Sequence, residues 1–151
     1  MTNLYELYYS SPIGILRIKS TKYEILSLEF VDEKILNREN TSILKEASKQ
    51  LDEYFNGIRK EFDLNIRLEG TEFQKKVWNE LLKIPYGEVI TYKDIAIRIG
   101  NEKAVRAVGN ANNKNKIPII IPCHRVIGSN RKLVGYLGGL DKKLWLLNHE
   151  K

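Results

Sequence analysis

The chain has 151 residues, a formal net charge of +6, one cysteine and two histidines, a length that supports one or two units whose cores fold without staples. One cysteine excludes an internal disulfide framework and a thiolate metal cluster, and no carboxylates are spaced to help the histidines, so neither a metal nor another cofactor is expected. No stretch approaches bilayer-spanning length and "MTNLYELYYSSPIG" is not a signal peptide, which predicts a soluble protein of the reducing cell interior.

The first thirty residues alternate in short runs. "LYELYY", "GILRIKS" and "ILSLEF" are separated by "SSPIG" and "TKYE", so three antiparallel strands are expected, with Pro12 and Gly14 in the first turn. Residues 41–55 place Ile43, Leu44, Ala47, Leu51, Tyr54 and Phe55 at helical spacing, and Asn56-Gly57 ends that helix. "FDLNI" reads as a brief further strand. Residues 1–67 are thus expected to form a small antiparallel sheet with one helix.

From residue 68 to 151 the pattern becomes mainly helical. Thr71 and Gln74 have the spacing of a capping box ahead of a stripe of Phe73, Val77, Trp78 and Leu81. "IPYGEV" turns the chain. Thr91 and Asp94 repeat the cap before "YKDIAIRI", which Gly100 closes, and Asn101 is placed to cap a helix from Glu102 to about Asn113. The pair reads as a helix-turn-helix. Its second helix carries Ala104, Ala107, Gly109 and Ala111, with Lys103, Arg106 and Asn110 outside. Such a surface suits either close approach to a nucleic-acid backbone or tight helix packing, and Gly109 calls for the close approach of another backbone. "GGLDKKLWLLNHE" makes a last helix, with Leu140, Leu144 and Leu147 expected to dock it. The fold class is therefore an α/β chain in two parts.

Charge follows the same division. Residues 1–70 carry 10 basic and 12 acidic side chains, and residues 71–151 carry 15 and 7. The basic half contains "KIPIIIPCHRVIG", where Pro118 and Pro122 exclude a regular helix and an extended chain leads Cys123 out of the core to the edge of a cavity. Cys123 is either inert core filler or a nucleophile with His124 as its base.

"IPCHRV", with "RAVGNANNKNKIPIIIPCHRV", "GYLGG", "TEFQKKVW" and "IPYGEVITYKDIA", resembles the 6-O-alkylguanine-DNA alkyltransferases from about Gly70 to Glu150. The first half resembles their amino-terminal domain only in size and order of elements. The resemblance implies stoichiometric, irreversible transfer of the alkyl group from 6-O-alkylguanine in double-stranded DNA to Cys123. It implies that His124 is the base, acting through a water, that Glu150 orients it, and that Asn115 ties the recognition helix to the active-site loop. Tyr92 would protonate a ring nitrogen of the leaving guanine. Val126, Tyr136, Leu137 and Gly138 would line the base pocket. Arg106 would fill the place of the flipped nucleotide, and Lys93, Asn101, Gly109 and Ser129 would meet the DNA. The chain departs from the family pattern at Lys116, where proline is usual, and at Asn110 and Asn112. A monomer at the nucleoid of the cytoplasm is expected. Three other readings compete: a non-repairing sensor of alkylated bases, in which the cysteine is replaced; a helix-turn-helix regulator, which needs larger base-reading side chains; and a thiol hydrolase, which leaves Arg106 and the basic half unused.

Overall fold

The alternating segments pair as β1 (Tyr5–Ser11), β2 (Gly14–Ser20) and β3 (Ile25–Val31), an antiparallel sheet in the order β1-β2-β3. They belong to a computed structural model that describes residues 4–35, 40–136 and 138–151. The chain divides into two units, Met1–Leu68 and Glu69–Lys151. In the first unit Ser11 pairs with Gly14 across the two-residue turn, which sets the register down to Tyr5 opposite Ser20. Leu16, Ile18, Ile25 and Leu28 are buried beneath α1 (Ser42–Phe55), which contributes Leu44, Ala47, Leu51, Tyr54 and Phe55. Thr41 caps α1 through the Leu44 amide, and Gly57, at φ 75°, takes the chain out of it.

The expected strand in "FDLNI" shrinks to one parallel bridge between Ile25 and Ile66. The reason is Gln50. Its side-chain amide donates to the Asp63 carbonyl and accepts from the Asp63 amide, so this backbone is satisfied without a ladder.

In the second unit α2 (Glu72–Leu81), α3 (Tyr92–Arg98) and α4 (Val105–Asn113) pack on one another. Both capping boxes form, at Thr71/Gln74 and Thr91/Asp94. Val77, Trp78, Leu81, Ile95, Ala96 and Val108 make the core, while Phe73 is only half-buried. The Trp78 indole donates to the Ala111 carbonyl at 2.9 Å, pinning α4 to α2.

Two sequence expectations need correction. The helix expected from Glu102 begins at Val105, and its N-terminal residue Ala104 provides no side-chain cap. Asn101 instead closes α3: its amide bonds back to the Ala96 carbonyl beside Gly100, which sits at φ 83°. The second correction concerns α5 (Leu140–His149). Leu140 and Leu144 are 48% and 47% exposed and Leu147 is half-buried, whereas Lys143 and Leu146, followed by Glu150, face inward. The polar partners of Lys143 and Glu150, described below, set that phase. Two-residue strands β4 (Ile90–Thr91) and β5 (Val126–Ile127) pair in parallel and tie the start of α3 to the segment after Cys123. No helix among the described residues is long and apolar enough to cross a membrane.

Candidate active site

The approach to Cys123 is a tight turn, not the extended run expected. Ile120 donates to the Pro118 carbonyl and Ile121 to that of Ile117, both at 2.9 Å. Between them Ile119 sits at φ 74°, a left-handed conformation that costs a β-branched residue about 1–3 kcal/mol. Burial of Ile117, Ile119 and Ile121 offsets that strain. Asn115 holds the turn shut. Its side-chain amide donates to the Ile121 carbonyl at 2.8 Å and accepts from the Ile117 amide at 3.0 Å.

Cys123 then opens a 3-10 turn, Cys123–Arg125, whose three side chains are all buried. The cysteine is 3% exposed, so it lies within the core rather than at an open edge. Burial pushes its thiol up to about 11, against the Asn115 amide and the Lys143 charge, which pull it down. A thiol in that position needs a base.

His124 supplies the candidate. Its Nε2 lies 2.7 Å from Glu150 Oε2. A carboxylate can only accept, so Nε2 carries the proton and Nδ1 is left with a lone pair. Nδ1 is buried with no hydrogen-bond partner among the described residues. Burial holds the imidazole below the usual histidine range, more strongly than the Glu150 bond raises it. The ring is therefore neutral and aimed as an acceptor.

Glu150 is held on several sides. Arg125 donates to Oε1 through Nε at 2.8 Å and to Oε2 through Nη2 at 3.0 Å, and gives Nη1 to the Ile84 carbonyl at 2.7 Å. The Gly87 amide adds a longer bond to Oε1 at 3.3 Å, and the Tyr86 hydroxyl donates to the His149 carbonyl. A Cβ on Gly87 would stand 2.9 Å from the Glu150 carbonyl, so "PYG" is a cradle cut for the end of α5. Arg125 was missed by the sequence reading although it stands inside "PCHRV", because its partner is 25 positions away.

Lys143 was missed as well. Its ammonium donates to the Val134 and Gly135 carbonyls at 2.9 and 3.2 Å and lies 3.5 Å from the Tyr92 hydroxyl. Burial lowers it to about 8. Tyr92, the first residue of α3, donates to the Val134 carbonyl at 2.9 Å, and burial, then the neighbouring Cys123, raises its phenol to about 12. Tyr92 is thus a protonated donor at any physiological pH.

The remaining expected residues fall into two groups. Val126 is buried in β5, Tyr136 is half-buried with its hydroxyl shielded, and Gly138 lies just before α5; Leu137 lies outside the described residues. Arg106, Lys93, Asn101 and Ser129 are all exposed, on α4, on α3, in the turn between them and in the turn after β5. Among the described residues outside its own helix, nothing lies within 4 Å of where a Gly109 Cβ would stand. Among the described residues no group of three or more His, Cys, Asp or Glu could hold a metal ion.

Residues 72–151 match the family model for the DNA-binding domain of 6-O-methylguanine DNA methyltransferase, and residues 4–68 match its ribonuclease-like domain. A methylated-DNA–protein-cysteine methyltransferase of Methanosarcina acetivorans is 49% identical over 153 residues, spanning 97% of this chain and 98% of that one. The crystal structure of the Mycobacterium tuberculosis 6-O-methylguanine methyltransferase superposes with a TM-score of 0.90 at 41% identity, over 99% of this chain and 93% of that one. A second mycobacterial structure, solved in complex with DNA, gives 0.88 at 42% identity over 98% and 92%.

Proposed function

This chain belongs to the 6-O-methylguanine DNA methyltransferase family, and we infer from its site that Cys123 is the residue that takes the alkyl group. The protein is a methylated-DNA–protein-cysteine methyltransferase, which repairs DNA by direct reversal of the damage. One observation carries the assignment of the acceptor: the reaction ends on a protein cysteine, and the chain has one.

The substrate proposed is 6-O-alkylguanine in duplex DNA. Because Cys123 is 3% exposed, a base within the stack cannot reach it, and the nucleotide must be flipped out. Arg106, exposed near the start of α4, fills the vacated place. The small residues of that helix suit the minor groove, whose readout is degenerate and so imposes no sequence. Lys93, Asn101 and Ser129 meet the phosphate backbone.

The chemistry follows from the hydrogen bonds. His124 Nδ1 takes the thiol proton through a bridging water, while Nε2 stays on Glu150. The thiolate attacks the alkyl carbon, the new S–C bond forms, and the C–O6 bond breaks with its electron pair going to guanine. Tyr92 gives its proton to a ring nitrogen, so the base leaves neutral. Solvent carries the proton held by His124 back to the Tyr92 phenolate, and the net result is a thiol and an alkylated base converted to a thioether and guanine. No group in the mechanism attacks the S–C bond, so each molecule reacts once. Tyr136, Gly138 and Val126 line the pocket. The protein acts as a monomer at the cytoplasmic nucleoid.

The test is intact-protein mass after incubation with duplex DNA bearing one 6-O-methylguanine. The expected result is a gain of one methyl group per wild-type molecule and none on Cys123→Ser. No gain, with tighter binding to the damaged duplex, would replace this reading with that of a non-repairing sensor.

A further inference from the structure

No step of the transfer uses Arg125, yet its guanidinium is 6% exposed and spends itself on the group behind the base. It forks onto both oxygens of Glu150, Nε to Oε1 at 2.8 Å and Nη2 to Oε2 at 3.0 Å. Nη1 is tied back to the Ile84 carbonyl at 2.7 Å, and the Tyr86 ring lies against the guanidinium at 5.7 Å. Oε2 is also the atom that accepts from His124 Nε2. One carboxylate oxygen therefore couples the arginine to the base. A buried ion pair is a weak source of stability, so its use must be sought in what it does to that coupling.

His124 and Glu150 hold protons as one unit. With the carboxylate ionised and Nε2–H donating to it, Nδ1 keeps the lone pair that takes the thiol proton. One further proton has two arrangements open to it: imidazolium beside carboxylate, or neutral imidazole accepting at Nε2 from the carboxylic acid. Both put a hydrogen on Nδ1, so the base is blocked either way. A fixed positive charge against the carboxylate opposes that proton wherever it sits. We propose that Arg125 is a positioning residue: its guanidinium, forked onto Glu150, holds the His124–Glu150 pair in the one-proton form whose Nδ1 is bare. Arginine suits the task because it does not give up its own proton. The other groups around the pair do not replace it. The buried side chains of α2, which packs on this turn, are Val77, Trp78 and Leu81, none of them charged. Lys143 acts on the ring in the same sense, but burial lowers it to about 8 and its charge fades above that. The Tyr86 and Tyr136 phenols, which feel Glu150, are both raised by burial and stay neutral, as does the Cys123 thiol at rest. This rests on the function proposed above and adds what keeps its base ready.

The experiment follows single-turnover methyl transfer against pH, read by intact mass, in wild type, Arg125→Lys and Arg125→Gln. Lysine keeps the charge, whereas glutamine removes it and keeps a donor for Glu150. Loss of the charge lets the pair bind its extra proton more readily, and transfer needs the pair without it. The acid limb of the profile is thus expected to move up by about one to three pH units in Arg125→Gln. In Arg125→Lys the limb is expected to stay near its wild-type position while the plateau falls. Lower plateaus in both variants with neither limb displaced would mean mere structural support and overturn the proposal. The 15N spectrum of the free protein reads the same pair without substrate, and His149→Gln tells the two histidines apart. Wild type is expected to show Nε2 protonated and Nδ1 bare at pH 7, and Arg125→Gln to gain a proton on Nδ1 there. A wild-type Nδ1 already protonated at pH 7 overturns the proposal without any Arg125 variant. Spectra as expected, with no methyl transfer by wild type, would sink the function and leave the pairing standing.

Discussion

His124 shows how burial sets chemistry at the scale of one residue. Desolvation lowers its affinity for a proton, and the Arg125 and Lys143 charges act the same way, while the Glu150 bond opposes them and loses. Transfer needs the neutral ring. The single-turnover rate is therefore expected to stay level as pH falls through 6.5 and to decline only below it. Stability has its own sign. Below 6.5 an unfolded histidine binds a proton that the folded ring refuses, so the unfolded state holds more protons and stability is lost on acidification. Thermal midpoints across that window should fall in wild type and fall less in His124→Gln, whereas a rate already declining at pH 7 would show the imidazole to be ordinary. Cys123 and His124 were legible in a six-residue string. Arg125 and Lys143 were not, because a lysine beside another lysine gives no sign of which one turns inward.

At the scale of the element, α4 and α5 show what periodicity can and cannot give. In α5 three leucines at helical spacing outweighed everything else in the sequence, yet Leu140 and Leu144 stay in solvent. Two buried polar side chains set the phase instead: Lys143 on the Val134 and Gly135 carbonyls, Glu150 on His124 and Arg125. Leaving either charge buried without these partners costs more than exposing two leucines. In α4 the small residues are unusual, but among the described residues nothing outside the helix packs where a Gly109 Cβ would stand. Gly109→Ala is therefore expected to stabilise the free protein by about 0.5–1 kcal/mol, because alanine is the better helix former and has room. It is also expected to weaken binding to duplex DNA, where the added methyl stands between helix and groove. Thermal melts and anisotropy of a labelled duplex measure the two effects. A stabilised variant that bound DNA like wild type would remove Gly109 from the contact face.

Over the whole molecule, the charge is carried by one half of the sequence. The 15 basic and 7 acidic residues of 71–151 stand against 10 and 12 in 1–70. Affinity for undamaged duplex should thus fall steeply with salt, with a slope in log K against log salt of about −0.9 for each phosphate neutralised. Lys93→Ala is expected to make that slope shallower by about one, measured by salt titration of DNA binding, whereas Arg106→Ala, which empties the place of the flipped base, is expected to lose affinity with the slope little changed. A Lys93 variant that lost affinity with an unchanged slope would place that side chain away from phosphate.

The sequence by itself determined the three strands and their turns, both capping boxes, the mainly helical second half and the family to which the reactive string belongs. All of these rest on short-range rules: alternation, cap spacing, the φ of proline and glycine, and a contiguous motif. Only the tertiary structure decided that Ile119 is strained ahead of the cysteine, that α4 begins after Asn101 has closed α3, and that α5 faces inward through Lys143 and Glu150. It also decided that Asn112 is buried with its Nδ2 on the Cys123 carbonyl. Each of these depends on hydrogen bonds that buried backbone and side-chain groups must find, and the partner is fixed by three-dimensional packing, not by position along the chain.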